Sequence, residues 1–149
     1  LATDNLSGIA KMELTIDGTT YAGSAVINMA GKPGVYTIGI LVEDRAGNRV
    51  TDTKTLKVTT NIAFMRSLIE RYISGGNLKG ALIPQLTNSL DQTEHQLTKG
   101  SVKQAVKHME DFIKHLQNDT KADSISKEAK RVLEADAQYL IKMWSESVK

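Results

Sequence analysis

The feature that most constrains the fold of this chain is a change of hydrophobic period near residue 60. Ahead of that point apolar side chains alternate. In Ile9–Asp17, the residues Ile9, Lys11, Glu13 and Thr15 hold one phase, and Ala10, Met12, Leu14 and Ile16 hold the other. A period of two sends successive side chains to opposite faces of a strand. Beyond residue 60, apolar residues recur three and four apart, the spacing of a helix that buries one face. No single element serves both periods, so the expected class is α+β in two segregated modules. These are residues 1–58, a connecting stretch 59–61, and residues 62–149.

In the first module, Asp17-Gly18 is a two-residue hairpin signal, because both positions tolerate the left-handed backbone that such a turn needs. Thr20–Ala22 and Ser24–Met29 read as short strands, followed by the turn Gly31-Lys32-Pro33-Gly34. Val35–Glu43 is β-branched and apolar, hence central. Asp44–Asn48 is a tight turn into a last strand, Arg49–Thr60. Five or six strands with regular turns imply a β-sandwich. A complete sandwich runs to about 100 residues. The one here is therefore expected to be truncated, its first strands lying ahead of Leu1.

In the second module, four apolar stripes predict an up-and-down helical bundle of about four helices. The first, Ile62, Met65, Ile69, Tyr72 and Ile73, ends at Gly75-Gly76. The second, Leu82, Leu86, Leu90, Thr93 and Leu97, carries Pro84 in its first turn and ends at Gly100. Ser101-x-x-Gln104 opens the third as a capping box, and Ser126 caps the fourth. The connection Thr59–Asn61 is too short for free tumbling, so a semi-rigid elbow is expected.

Charge excludes some partners. Residues 1–58 hold six basic and six acidic side chains, and the remainder thirteen and eleven, so no basic stripe marks a nucleic-acid surface. No apolar run is long enough to span a bilayer. Without cysteine there are neither disulfides nor thiolate metal sites.

Catalytic motifs are also missing, so no catalytic or cofactor-binding residue is assigned and the fragment is not expected to be an enzyme. His108 and His115 lie on one flank of the third helix, two turns apart. At 1.5 Å per residue that is about 10 Å, too far to share one ion, and with His95 they read as surface residues. Acidic residues such as Glu110 and Glu134 sit four from Lys114 and Lys130, the spacing of solvated helix pairs. Asp136 is the exception, because it falls within the apolar stripe Ala129, Val132, Leu133 and Leu140. A carboxylate there must be hydrogen-bonded, and the expected donors are Thr93, Asn88 or N–H groups of Gly75–Gly80. Phe64 points away from its stripe beside the connection, where it is placed to pack on the first module.

The segment Thr3-Asp4-Asn5-Leu6-Ser7-Gly8-Ile9, with Asp44-Arg45-Ala46-Gly47-Asn48 further on, resembles bacterial immunoglobulin-like repeats. That resemblance implies a spacer or adhesion module of secreted or surface proteins. In such sandwiches the loops at Asp4–Gly8 and Asp44–Asn48 share one end. Two readings follow. Either Asp4, Asp44 and the amide oxygen of Asn48 hold a Ca²⁺ ion, or these residues only stabilise their own turns.

Gly76-Asn77-Leu78-Lys79-Gly80, Gln85-Leu86-x-Asn88, Glu94-His95-x-Leu97, Gln104-Ala105-x-Lys107-His108 and Phe112-Ile113-Lys114-His115-Leu116 resemble the FIMAH domain, a C-terminal module of secreted enzymes of bacilli and relatives. The resemblance implies a secreted or cell-surface setting and an upstream catalytic domain in the same chain, a carbohydrate-active enzyme or a protease. On this reading the chain is an accessory region that positions or anchors the enzyme, or binds polysaccharide or cell-wall material. The alternative is a structural spacer and cap without a ligand. Tyr21, Tyr36, Tyr72, Tyr139 and Trp144 are scattered rather than lined up for sugar stacking, which favours the scaffold.

Overall fold

The computed structural model describes residues 8–23, 25–120 and 123–148. The chain is α+β, an antiparallel four-stranded sheet followed by four helices. It divides into a sheet unit, which takes the chain up to Met29 and again over Gly34–Val58, and a helical unit, which takes Ala30–Pro33 and everything from Thr59 onward.

In the sheet unit, β1 (Ile9–Ile16), β2 (Thr19–Ala22), β3 (Gly34–Asp44) and β4 (Arg49–Val58) lie in the order β2-β1-β3-β4. Asp17 and Gly18 form the β1–β2 turn with φ of 44° and 81°, which only residues tolerant of the left-handed region adopt readily. Asp17 also reaches β3, where its carboxylate accepts the Thr37 N–H at 2.8 Å. Register then sorts the side chains. Met12, Leu14 and Ile16 stand opposite Val42, Ile40 and Ile38, while Glu13 and Thr15 stand opposite Leu41 and Gly39. Across β3 and β4, Val42 meets Val50 and Tyr36 meets Leu56. One face is thus mainly apolar, with Asp52 and Lys54 on its β4 side, and the other is mostly Thr, Lys and Glu.

Two expectations change here. The described residues hold one sheet, and Ala25–Met29 belongs to no strand, with Val26 fully exposed. Alternating residues make a strand only when a neighbouring edge completes their ladder. The outer edges of the sheet are β2 and β4, and Ala25–Met29 forms a ladder with neither.

The helical unit comprises α1 (Ile62–Ser74), α2 (Leu82–Thr98), α3 (Val102–Asn118) and α4 (Lys127–Ser147). Each packs on its sequence neighbours and α1 closes the ring on α4, giving the up-and-down bundle. The core runs through the middle: Met65, Leu86, Leu90, Met109, Phe112, Leu116 and Leu133 are fully buried. At one end the α1–α2 and α3–α4 connections pair as a short ladder. Lys79 N–H donates to the Ser124 carbonyl at 2.7 Å, and Ser126 N–H donates to that of Asn77 at 2.8 Å.

The caps split. Ser126 Oγ accepts the Ala129 N–H at 3.2 Å, so α4 starts as its sequence implies. Ser101 makes no side-chain cap bond, and its backbone carbonyl instead accepts the Gln104 N–H at 3.0 Å. The capping box expected there does not form. The connecting stretch is also shorter than expected, because Thr60 is buried in the helical unit and Asn61 caps α1 by accepting the Phe64 N–H at 2.8 Å.

The segment Ala30–Pro33 is part of the helical unit in detail. Arg131 on α4 donates to the carbonyls of Ala30 at 3.2 Å and Gly31 at 3.5 Å, and Glu128 holds the guanidinium at 2.7 Å. Gly31 has a φ of 64°, and a Cβ there would lie 2.8 Å from the Val132 Cα. Only glycine lets the backbone lie this close to the helix.

Candidate functional site

Two polar stripes run along the neighbouring helices α2 and α3. On α2, Gln85, Asn88 and Gln92 recur at spacings of three and four, so they share one face. On α3, His108, Asp111, His115 and Asn118 do the same. Between them lies a groove of about 450 Å³ lined by Asn88, Ser89, Gln92 and the α3 stripe, with Lys114 on its rim. A second basin of about 320 Å³ continues it towards the short ladder, sharing His115 and Asn118 and adding Gln85 and Ser124. The α3 stripe alone covers about 15 Å at 1.5 Å per residue.

The lysine and the aspartate of this groove pair with each other. Lys114 donates to the Asp111 carboxylate at 2.9 Å. That hydrogen bond holds the Asp111 carboxyl below its ordinary range, and the charges of Lys114, His108 and His115 act in the same direction. The remaining groups are amides, imidazoles and a hydroxyl, each able both to donate and to accept. Chemically this is a surface for directional recognition. A larger depression, about 490 Å³, lies where α3 begins and α4 ends, lined by Val102, Val106 and Val148 together with Lys103, Lys107, Glu110 and Ser145.

The helical pairs differ from those expected on spacing. Lys114 bonds Asp111 rather than Glu110, and Glu134 accepts from Gln117 of α3 at 2.7 Å rather than meeting Lys130. The amide stripe on α2 was missed. Its signal was the three-four recurrence of Gln85, Asn88 and Gln92, the same periodicity that marks apolar stripes, here written in amides.

Asp136 is 3% exposed, and Thr60 Oγ1 donates to its Oδ2 at 3.2 Å. The donor is not one of those expected: the Thr93 hydroxyl donates to the Ser89 carbonyl at 2.7 Å instead. Burial pushes the Asp136 carboxyl above its ordinary value, while the Thr60 hydrogen bond pulls the other way. Phe64 is 45% exposed on the first turn of α1.

For the ion reading, Asp4 lies outside the described residues. Asp44 Oδ1 accepts the Asn48 backbone N–H at 2.8 Å, and its Oδ2 accepts the Asn48 side-chain N–H at 2.7 Å. Both oxygens thus take part in the turn. The loops do approach one another, since Arg45 N–H donates to the Gly8 carbonyl at 3.1 Å. Among the described residues no group of three or more His, Asp or Glu side chains is arranged to hold a metal ion.

The sequence profile of the FIMAH domain matches residues 62–142, more than half of the chain. The chain belongs to the FIMAH family. The match starts where α1 starts and runs into α4, so the FIMAH domain and the four-helix unit coincide. The α2–α3 groove is therefore a feature of the FIMAH domain itself. No curated protein matches the chain. Among the described residues no helix is long and apolar enough to cross a membrane.

Proposed function

We propose that this chain is a non-catalytic accessory region of a larger secreted bacterial enzyme, and that it positions or anchors that enzyme by binding glycan or cell-wall material. The observation that carries the reading is the α2–α3 groove, whose amides and imidazoles offer paired donors and acceptors. Hydroxyl-rich polymers present the complementary pattern. The sheet unit, which resembles an immunoglobulin-like repeat, then serves as the spacer towards the catalytic part.

The purified chain should release no product from polysaccharides or casein, and should co-sediment with insoluble glycan or cell-wall preparations. Turnover that disappears on mutating a residue of the chain would sink the reading. The alternative, a spacer and cap without a ligand, draws support from the aromatics, since Tyr72, Tyr139 and Trp144 pack against the core rather than line a binding face. Failure to co-sediment with any of these materials would favour that alternative.

A further inference from the structure

We infer that the α2–α3 groove of the FIMAH domain is a binding site for a neutral, polyhydroxylated glycan chain, read through hydrogen bonds from Asn88 and Gln92 on one wall and His108, Asp111 and His115 on the other. This rests on the reading of the chain as a glycan-binding accessory region and adds which face binds and what kind of glycan it takes. Three features select the ligand.

The first is charge. The groove lining holds one lysine and no arginine, and that lysine, Lys114, is paired with Asp111 at 2.9 Å, so no uncompensated lysine or arginine faces a polyanion there. A uronate, phosphate or nucleic-acid backbone gains most from uncompensated Arg or Lys, and here the one lysine on the rim is already bonded.

The second is the chemistry of the walls. Each sugar hydroxyl both donates and accepts. Amide side chains offer an acceptor oxygen and a donor N–H₂, and imidazoles add further ring N–H donors. Asn88 and Gln92 stand one helical turn apart, so they can address successive polar groups along an extended chain. Asp111, opposite them, accepts hydrogen bonds strongly while its charge is held by Lys114.

The third is shape. The groove and its continuation share His115 and Asn118, which makes one elongated trough rather than an enclosed cavity. A trough along two helices suits a polymer more than a compact metabolite. Its described lining has no Phe, Tyr or Trp, so binding depends on the hydrogen-bonding groups, and their removal is the decisive test.

The test is affinity electrophoresis of the whole chain in native gels, each containing one polysaccharide, neutral (xylan, glucomannan, hydroxyethylcellulose) or acidic (polygalacturonate). Retardation by at least one neutral polymer is expected. The Asn88→Ala/Gln92→Ala variant should bind that polymer about tenfold more weakly, as the loss of two hydrogen-bonding groups implies. Both positions are exposed, so the variant should keep the wild-type circular dichroism and melting temperature. Gln138→Ala, on the exposed side of α4, should bind as the wild type does. Equal binding by the double variant and the wild type would overturn the groove assignment while leaving the accessory reading in place. Retardation by polygalacturonate alone would overturn the neutral-ligand assignment. No retardation in any gel would overturn both.

Discussion

Phe112 and Val50 are both apolar residues on amphipathic elements, yet Phe112 is 0% exposed and Val50 is 70% exposed. The contrast extends to the units they belong to. Every fully buried side chain among the described residues lies at or beyond Thr60, whereas Met12, Val35 and Val50 of the sheet stay open to solvent. Four helices close a ring, so each stripe faces three others and water is excluded from the middle. A single sheet has no such closure. Its alternation creates an apolar face, and a face becomes a core only when a second layer packs on it. Period alone therefore tells which side of an element is apolar, not whether that side is covered.

The largest expected effect follows directly. Phe112→Ala should cost about 3–5 kcal/mol by leaving a cavity in a closed core, whereas Val50→Ala on the open face should cost less than about 1 kcal/mol. Urea titration followed by Trp144 fluorescence for the helical unit, and by circular dichroism in the β region for the sheet, measures both. A loss at Val50 comparable to that at Phe112 would mean that the sheet face is covered after all.

A smaller effect sharpens where one unit ends and the other begins. Ala30–Pro33 sits between two strands in sequence but packs with the helices. Gly31→Ala must accept both a positive φ and a Cβ 2.8 Å from the Val132 Cα, and should destabilise the helical unit by roughly 1–3 kcal/mol. If the midpoint of the Trp144 transition does not move, the segment contributes nothing to that unit.

The smallest effect concerns Asp136, the one buried acid among the described residues. A carboxyl whose pKa is raised by folding binds its proton more tightly in the folded state. The contribution of this group is thus greatest below the ordinary Asp value of 3.8 and is lost as pH rises through the higher folded value. Asp136→Asn stays neutral and still accepts from Thr60, so its stability–pH curve should lack that fall, and at neutral pH it should match or slightly exceed the wild type. Thermal melts from pH 3.5 to 7.5 make the comparison. A variant that is less stable only at neutral pH would show that the ionised form is favoured by groups other than Thr60.

Much of the fold is legible in the residues. The change of period near residue 60, Asp17-Gly18, Gly75-Gly76, Gly100 and Ser126 mark turns, stops and a start that the structure keeps, because each acts through the local backbone. Ser101-x-x-Gln104 shows the limit of that logic. Its residues suit a capping box, but the backbone enters α3 at φ −87° and ψ 64°, and the side-chain bond is not made.

The candidate site was legible only in halves. The α3 histidines stand out by their rarity, three in the chain, while Gln85, Asn88 and Gln92 resemble any solvated face until α3 is set beside them. The sequence by itself determined the two periods, the element boundaries that follow from glycine and cap chemistry, and the burial of Asp136 within an apolar stripe. Tertiary structure alone decided that Thr60, 76 residues earlier, supplies the hydrogen bond to that acid, that Ala25–Met29 joins no ladder, and that two polar stripes meet across one groove. The physical reason is range: dihedral preferences and caps act within a few residues, whereas a partner for a buried carboxylate, a strand edge or a facing helix is delivered only by the way the elements pack.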